Sequence, residues 1–207
     1  MEDSTWLAPL LLWTAVSLVI SAVLIPKIDY DKIIRQAMEK RGQAIPEERM
    51  ASIVESQQKI WNVVGWISAV VVPVLTSLLV AVVIWGAFKA FGWDATYRQG
   101  LGVTTHSFLP GVLGALLLIP LVARQERMDP AAMGDLLRSN LGFLVERDAK
   151  ALHSILGSID LFSFWSLALL VIGFAAAAKI RRGPAAGVIL TLWVVFVLGK
   201  AGFAAIF

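Results

Sequence analysis

Residues 60–88 read IWNVVGWISAVVVPVLTSLLVAVVIWGAF, a run of 29 residues without a charged side chain. An α-helix rises about 1.5 Å per residue, so about 20 residues cross the ~30 Å hydrocarbon core of a bilayer. The rest of the chain has a similar character. Of its 207 residues, 58% are hydrophobic and 16% are charged, whereas a typical soluble domain has about 25% charged residues. The sequence therefore predicts a polytopic membrane protein.

Four further charge-free runs divide the chain: residues 4–26, 99–123, 161–178 and 183–199. Every backbone amide in hydrocarbon needs a partner within its own segment, so these runs are expected to be helices. We predict an all-α membrane protein of one domain, residues 1–207, with five transmembrane helices. The predicted spans are residues 6–25, 61–88, 100–123, 161–178 and 184–206.

Two polar segments, residues 28–60 and 130–159, carry apolar residues at helical spacing. This pattern predicts interfacial amphipathic helices. With five crossings, both segments lie on the same membrane face. There they either rest on the bilayer or cap the bundle, or they form a docking platform for a partner protein or anionic lipid.

The distribution of basic residues gives two conflicting signals about orientation. Twelve of the 18 Lys and Arg residues lie on the face with the amphipathic segments, and five lie on the N-terminal face. The positive-inside rule applied to these numbers places the N-terminus outside. However, Lys179, Arg181 and Arg182 form a dense positive cluster in one short turn on the N-terminal face.

Asp160 and Lys200 are the ionisable residues that we expect deepest in the membrane. Asp160 opens the fourth span and Lys200 interrupts the apolar fifth. From the turn that joins these spans, the two residues lie roughly 27 and 24 Å away, at nearly equal depth. We predict an ion pair or a shared polar site. The alternatives are an N-capping Asp160 with Lys200 reaching the interface, or a proton or ion pathway.

The third span contains a further polar stretch that ends in Thr104-Thr105-His106-Ser107, and Arg98 precedes it. We interpret the stretch as a hydrogen-bonded patch between helices, with a substrate or proton site as the alternative. Arg98 and His106 are predicted polar anchors of the bundle.

The sequence carries no motif that indicates catalysis. Cysteine is absent, and HExxH, GxSxG, GxGxxG and Walker A motifs do not occur. We therefore expect no enzymatic activity, no cofactor and no metal site. No long basic run suggests nucleic-acid binding.

Residues 160–173, DLFSFWSLALLVIG, lead through a basic turn to Leu198-Gly199-Lys200, and this region resembles bacterial members of the Yip family. Residues 95–99, ATYRQ, and 6–9, WLAP, are similar to that family's middle segment and first span. The resemblance implies a five-span helical domain with a cytosolic N-terminus. In eukaryotes such proteins act in vesicle trafficking and membrane shaping with GTPase-linked partners. No catalytic residues carry over. The basic turn agrees with this orientation, which we favour.

The expected function is that of a non-enzymatic, multi-pass protein that organises or assists other membrane components, in a bacterial inner membrane. Its expected partners are the lipid bilayer and other membrane proteins, or a second copy of itself. One alternative is a small ion- or solute-coupled transporter that uses an Asp160–Lys200 site. Another is a structural subunit of a larger membrane complex.

Overall fold

The computed structural model describes residues 6–40, 42 and 46–206, and these residues form an almost entirely helical structure with two isolated β-bridges. The predicted all-α fold is confirmed. The helices are α1 (Leu7–Leu24), α2 (Tyr30–Lys40), α3 (Glu47–Ala90), α4 (Tyr97–Ser107), α5 (Leu109–Ala123), α6 (Met133–Leu136), α7 (Lys150–Leu156), α8 (Leu161–Ala177) and α9 (Arg182–Ile206).

Four helical segments in the described part of the chain are long and apolar enough to cross a membrane. They are α1, α3, α4 together with α5, and α9. Helix α8 is also apolar but has only 17 residues, which span roughly 26 Å. The chain is thus an all-helical membrane protein whose fourth apolar segment is shorter than the others.

Proline affects two of the long segments differently. The third segment breaks between Ser107 and Leu109, and Pro110 occupies the first turn of α5, where a missing N–H costs nothing. Trp13 of α1 packs edge-on against Phe108 at this break, with ring centroids 5.0 Å apart. Pro73, by contrast, lies within α3, which continues past it.

The core of the bundle lies where α8 meets α3 and α9, and α4 packs against it through Val103. Phe88 of α3 and Phe174 of α8 are fully buried, with ring centroids 5.1 Å apart. Gly100 leaves space for the ring of Phe174, and Gly173 lies directly against Val103. Small residues at these positions allow the backbones of α4 and α8 to approach closely, as in other membrane helix pairs.

The amphipathic segment 28–60 is only partly as predicted. Helix α2 is amphipathic, but residues 47–60 do not form a separate interfacial helix, because they run continuously into α3. The 44 residues of α3 correspond to about 66 Å of helix. Residues 47–64 contain neither Gly nor Pro, so nothing in the local sequence ends the helix at the membrane surface.

Segment 130–159 contains helices, but they are shorter than its apolar pattern indicates. Helix α6 ends after four residues, and Leu137 is extended. The Asn140 side chain accepts a hydrogen bond from the Gly142 N–H at 2.8 Å and donates one to the Gly134 carbonyl at 3.2 Å. Such side-chain bonds compete with helix formation. The segment still caps the bundle, because α7 packs against α9.

We expect Gly173→Val to destabilise the bundle because its side chain would overlap Val103. Overpacking of this kind costs about 1–3 kcal/mol in free energy of unfolding, measurable by thermal unfolding in detergent. Adding Val103→Ala should restore part of the loss. Gly187→Val, on an open face of α9, is the control. Equal destabilisation by the two Gly→Val variants would contradict close α4–α8 packing.

Candidate functional site: polar groups of the bundle

Asp160 is the N-cap of α8. Its carboxylate accepts a hydrogen bond from the Ser163 N–H at 2.9 Å. Lys200 lies on an exposed side of α9, next to the buried Ala201. The described residues include no ion pair between Asp160 and Lys200 within 4.0 Å. The predicted pair is not formed in this structure, because the Asp160 carboxylate caps α8 and Lys200 lies on an exposed side of α9.

The polar side chains of α4 are hydrogen-bonded within that helix. Thr104, Thr105 and Ser107 are buried, and each hydroxyl donates to the carbonyl four residues earlier, at 2.8–3.1 Å. The predicted hydrogen-bonded patch exists, but these bonds do not connect α4 to a neighbouring helix. Each hydroxyl is instead satisfied at low cost where water is absent.

His106 differs from these neighbours because it is exposed. Its Nδ1 lies 2.8 Å from the Gly102 carbonyl oxygen. A carbonyl only accepts, so Nδ1 carries the hydrogen of this bond. The ring is thus held by its own helix, and it lines a groove between α4 and α8.

This α4–α8 groove has a volume of about 750 Å³. Arg98, Gln99 and His106 form its polar side, while Leu169 and Ile172 supply apolar side chains from α8. The groove brings together two of the four predicted anchors, Arg98 and His106. Asp160 and Lys200 are not among its lining residues.

The entrance to the groove is held by hydrogen bonds in the loop before α4. Thr96 and Gln99 form a capping box, in which each side chain accepts from the other's backbone N–H, at 3.3 and 3.0 Å. Trp85 donates from Nε1 to the Ala95 carbonyl at 2.9 Å. A hydrogen bond from Lys89 lowers the pKa of Asp94 below its ordinary value. These contacts fix where α4 begins and thus where Arg98 lies.

Lys27 makes a contact that the sequence pattern did not suggest. Its ammonium donates to the carbonyls of Ala123 and Gln125, at 3.0 and 2.6 Å, and so caps the C-terminal end of α5. Cations are favourable at this end of a helix. The partners are separated by 96 and 98 residues, so no local pattern could have revealed the contact.

The loop between α5 and α8 contains another contact that the sequence pattern did not suggest, a group of three polar side chains. Arg147 binds the Asp135 carboxylate at 2.6 Å, and His153 Nε2 lies 3.5 Å from the same carboxylate. The group ties α6 to α7. These residues belong to different short helices and loops, and their proximity depends on the irregular chain path between them.

The geometry is that of a multi-pass, all-helical membrane protein with one polar-ended groove between α4 and α8. Comparison with protein families matches residues 1–203 to the Yip1 domain. The chain belongs to this family, which confirms the resemblance at family level. No curated protein and no solved structure matches the chain.

The separation of Asp160 from Lys200 can be tested by a double-mutant cycle. Asp160→Ala removes an N-cap and should cost about 0.5–2 kcal/mol of unfolding free energy. Lys200→Met should cost no capping energy, and the double variant should show additive effects. Thermal unfolding in detergent measures all three. A coupling energy well above ~0.5 kcal/mol would show that the two residues interact.

Proposed function

We propose that this Yip1 domain protein is a non-enzymatic membrane scaffold that organises or assists other membrane components. The proposal rests on a polar helical segment that we call the arm. It consists of α2 together with residues 47–59 of α3. These 13 residues precede the charge-free part of α3 and correspond to about 20 Å of helix beyond it. A stiff helix that projects from a membrane span offers a surface to protein partners.

A defined link holds the arm together. Both terminal nitrogens of Arg35 on α2 bind the Glu47 carboxylate at the start of α3, at 3.0 and 3.2 Å. Arg35 Nε also binds Asp31 at 2.9 Å. The hydrogen bond from Arg35 lowers the pKa of Glu47, so this link is present at neutral pH and is lost as the pH falls through that lowered pKa.

The base of the arm combines charged and apolar surface. Lys59 and Glu55 pair at 2.8 Å on α3, and next to them Ile60 and Trp61 are 55% and 52% exposed. An exposed aromatic beside charged side chains suits contact with other membrane proteins at the bilayer surface. The association of the Yip family with membrane trafficking supports the same role.

The finer placement that we propose is a bacterial-type family member in a bacterial inner membrane, with its N-terminus in the cytosol. The resemblance to bacterial Yip proteins and the basic turn at residues 179–183 support it. In this orientation the arm faces the periplasm.

The transporter alternative was based on a site shared by Asp160 and Lys200. It would now have to work without a direct ion pair between these two residues. The alternative of a subunit in a larger complex uses the same arm and differs in having a fixed stoichiometry with its partners. Native mass spectrometry of gently solubilised protein distinguishes a subunit from a scaffold.

Orientation can be measured with single cysteines, because the sequence contains none of its own. Ser52→Cys lies on the exposed arm, and Asp94→Cys lies in the loop on the other face. We expect a membrane-impermeant maleimide to label Ser52→Cys in spheroplasts and to label Asp94→Cys only after lysis. The reverse pattern would place the arm in the cytosol.

Partner contact through the arm can be tested by photo-crosslinking in native membranes. A photoreactive residue at Ser56, on the arm, should give discrete protein adducts, whereas one at the lipid-facing Leu79 should not. Glu47→Gln should weaken the link to α2 and lower the adduct yield. Glu48→Gln is the control, because it makes the same change at the adjacent residue, which is not a partner of Arg35.

Two outcomes would contradict the scaffold function. The first is an absence of adducts at Ser56 or a yield that does not change in Glu47→Gln. The second is a pH-dependent flux in proteoliposomes that is lost in Asp160→Asn, which would favour the transporter.

A further inference from the structure

We propose that the α4–α8 groove binds one anionic phospholipid, with the phosphate at Arg98 and Gln99 and an acyl chain along Leu169 and Ile172. This site lies on the opposite face of the protein from the arm and does not depend on it. Its occupant follows from the shape of the groove, its depth in the membrane and the charge around its entrance.

The groove has Arg98 at one end and His106, already hydrogen-bonded to its own helix, at the other, and its apolar side chains come from α8. Arg98 and Gln99 lie in the first turn of α4, and His106 lies eight residues further along the chain, roughly 12 Å deeper. On the other side, Ala176 and Leu169 of α8 cover a similar distance. A volume of about 750 Å³ lies within the usual range of about 300–1,000 Å³ for ligand sites. A ligand that fills it needs a polar end and an apolar tail.

Aromatic residues place the polar end of the groove at headgroup depth. Trp85 and Tyr97 contact each other edge-on, with ring centroids 5.9 Å apart, and Arg98 directly follows Tyr97. Trp and Tyr prefer the membrane–water interface. The lower part of the groove therefore lies in hydrocarbon, where an acyl chain is the available apolar ligand.

The loops on this face favour an anionic headgroup. Residues 89–98 and 179–183 contain five Lys and Arg residues and one acidic residue, Asp94, which already binds Lys89 at 3.0 Å. Arg98 also interacts with another group of the chain, but a guanidinium has five N–H donors and can serve more than one acceptor. A phosphate that bears net charge complements this surface better than a zwitterionic headgroup.

The binding test uses the full-length protein in detergent, titrated with palmitoyl-oleoyl phosphatidylglycerol and followed by native mass spectrometry. We expect a one-to-one adduct that is clearly tighter than the adduct with phosphatidylcholine of the same chains. Arg98→Gln should weaken it about tenfold, the effect of losing one charge-assisted hydrogen bond. Arg182→Gln makes the same charge change on the same face but outside the groove, and it should weaken the adduct clearly less than Arg98→Gln does.

A second pair of variants tests whether the lipid occupies the groove, without changing charge. Ala176→Trp should fill the groove and abolish the adduct. Ala168→Trp introduces the same side chain at an exposed position of α8 that does not line the groove, and it should bind phosphatidylglycerol normally. These variants keep the test decisive if Arg98→Gln fails to fold.

Four results would overturn the proposal. They are equal affinity for the two lipids, equal weakening by Arg98→Gln and Arg182→Gln, normal binding by Ala176→Trp, and binding of glycerol 3-phosphate as tight as that of phosphatidylglycerol. The second result would indicate diffuse surface attraction. The last would indicate a soluble phosphate ligand.

Discussion

The close approach of α4 to α8 is the contact on which the rest of the bundle depends. Gly173 meets Val103, and Gly100 makes room for Phe174, whose buried ring also packs against Phe88 of α3. Lipid tails are as apolar as the side chains, so moving a side chain from lipid to a helix interface gains little hydrophobic free energy. Helices in a membrane therefore associate mainly through close van der Waals packing. The same contact determines the walls of the groove, because its lining residues come from these two helices.

Several polar groups of the spanning segments are satisfied by their own helix, whereas the buried hydroxyl of Ser77 on α3 has no hydrogen-bond partner among the described residues. The hydroxyls and the imidazole of α4 bind carbonyls one turn earlier, and Asp160 binds the first turn of α8. Such bonds can form as soon as each helix forms, before the bundle assembles. These hydrogen bonds therefore do little to determine which helices pack against each other. That specificity comes from the steric fit between helices.

The two faces of the protein present different chemistry. One face carries the arm and the loop between α5 and α8, where acidic and basic residues pair with each other, as Arg35 does with Glu47 and Arg147 with Asp135. The other face carries short loops with five Lys and Arg residues and one acidic residue, beside the entrance to the groove. This difference in charge is the basis of the two proposals, in which the first face contacts proteins and the second contacts anionic lipid.

The sequence by itself determined the class of protein and the apolar stretches of its long helices, because charge-free runs of sufficient length have no other stable form in a bilayer. It did not determine that α3 begins at Glu47. The sequence also offered an N-capping Asp160 as one of the alternatives, since capping depends only on neighbouring residues. Spacing did not reveal that Lys200 lies on an exposed side of α9, where it forms no direct ion pair with Asp160. Apolar periodicity also predicted helices at residues 130–159, where the side chain of Asn140 favours a turn. The groove and the Lys27 cap on α5 were decided only by the tertiary structure, because they join residues whose separation along the chain carries no periodic signal.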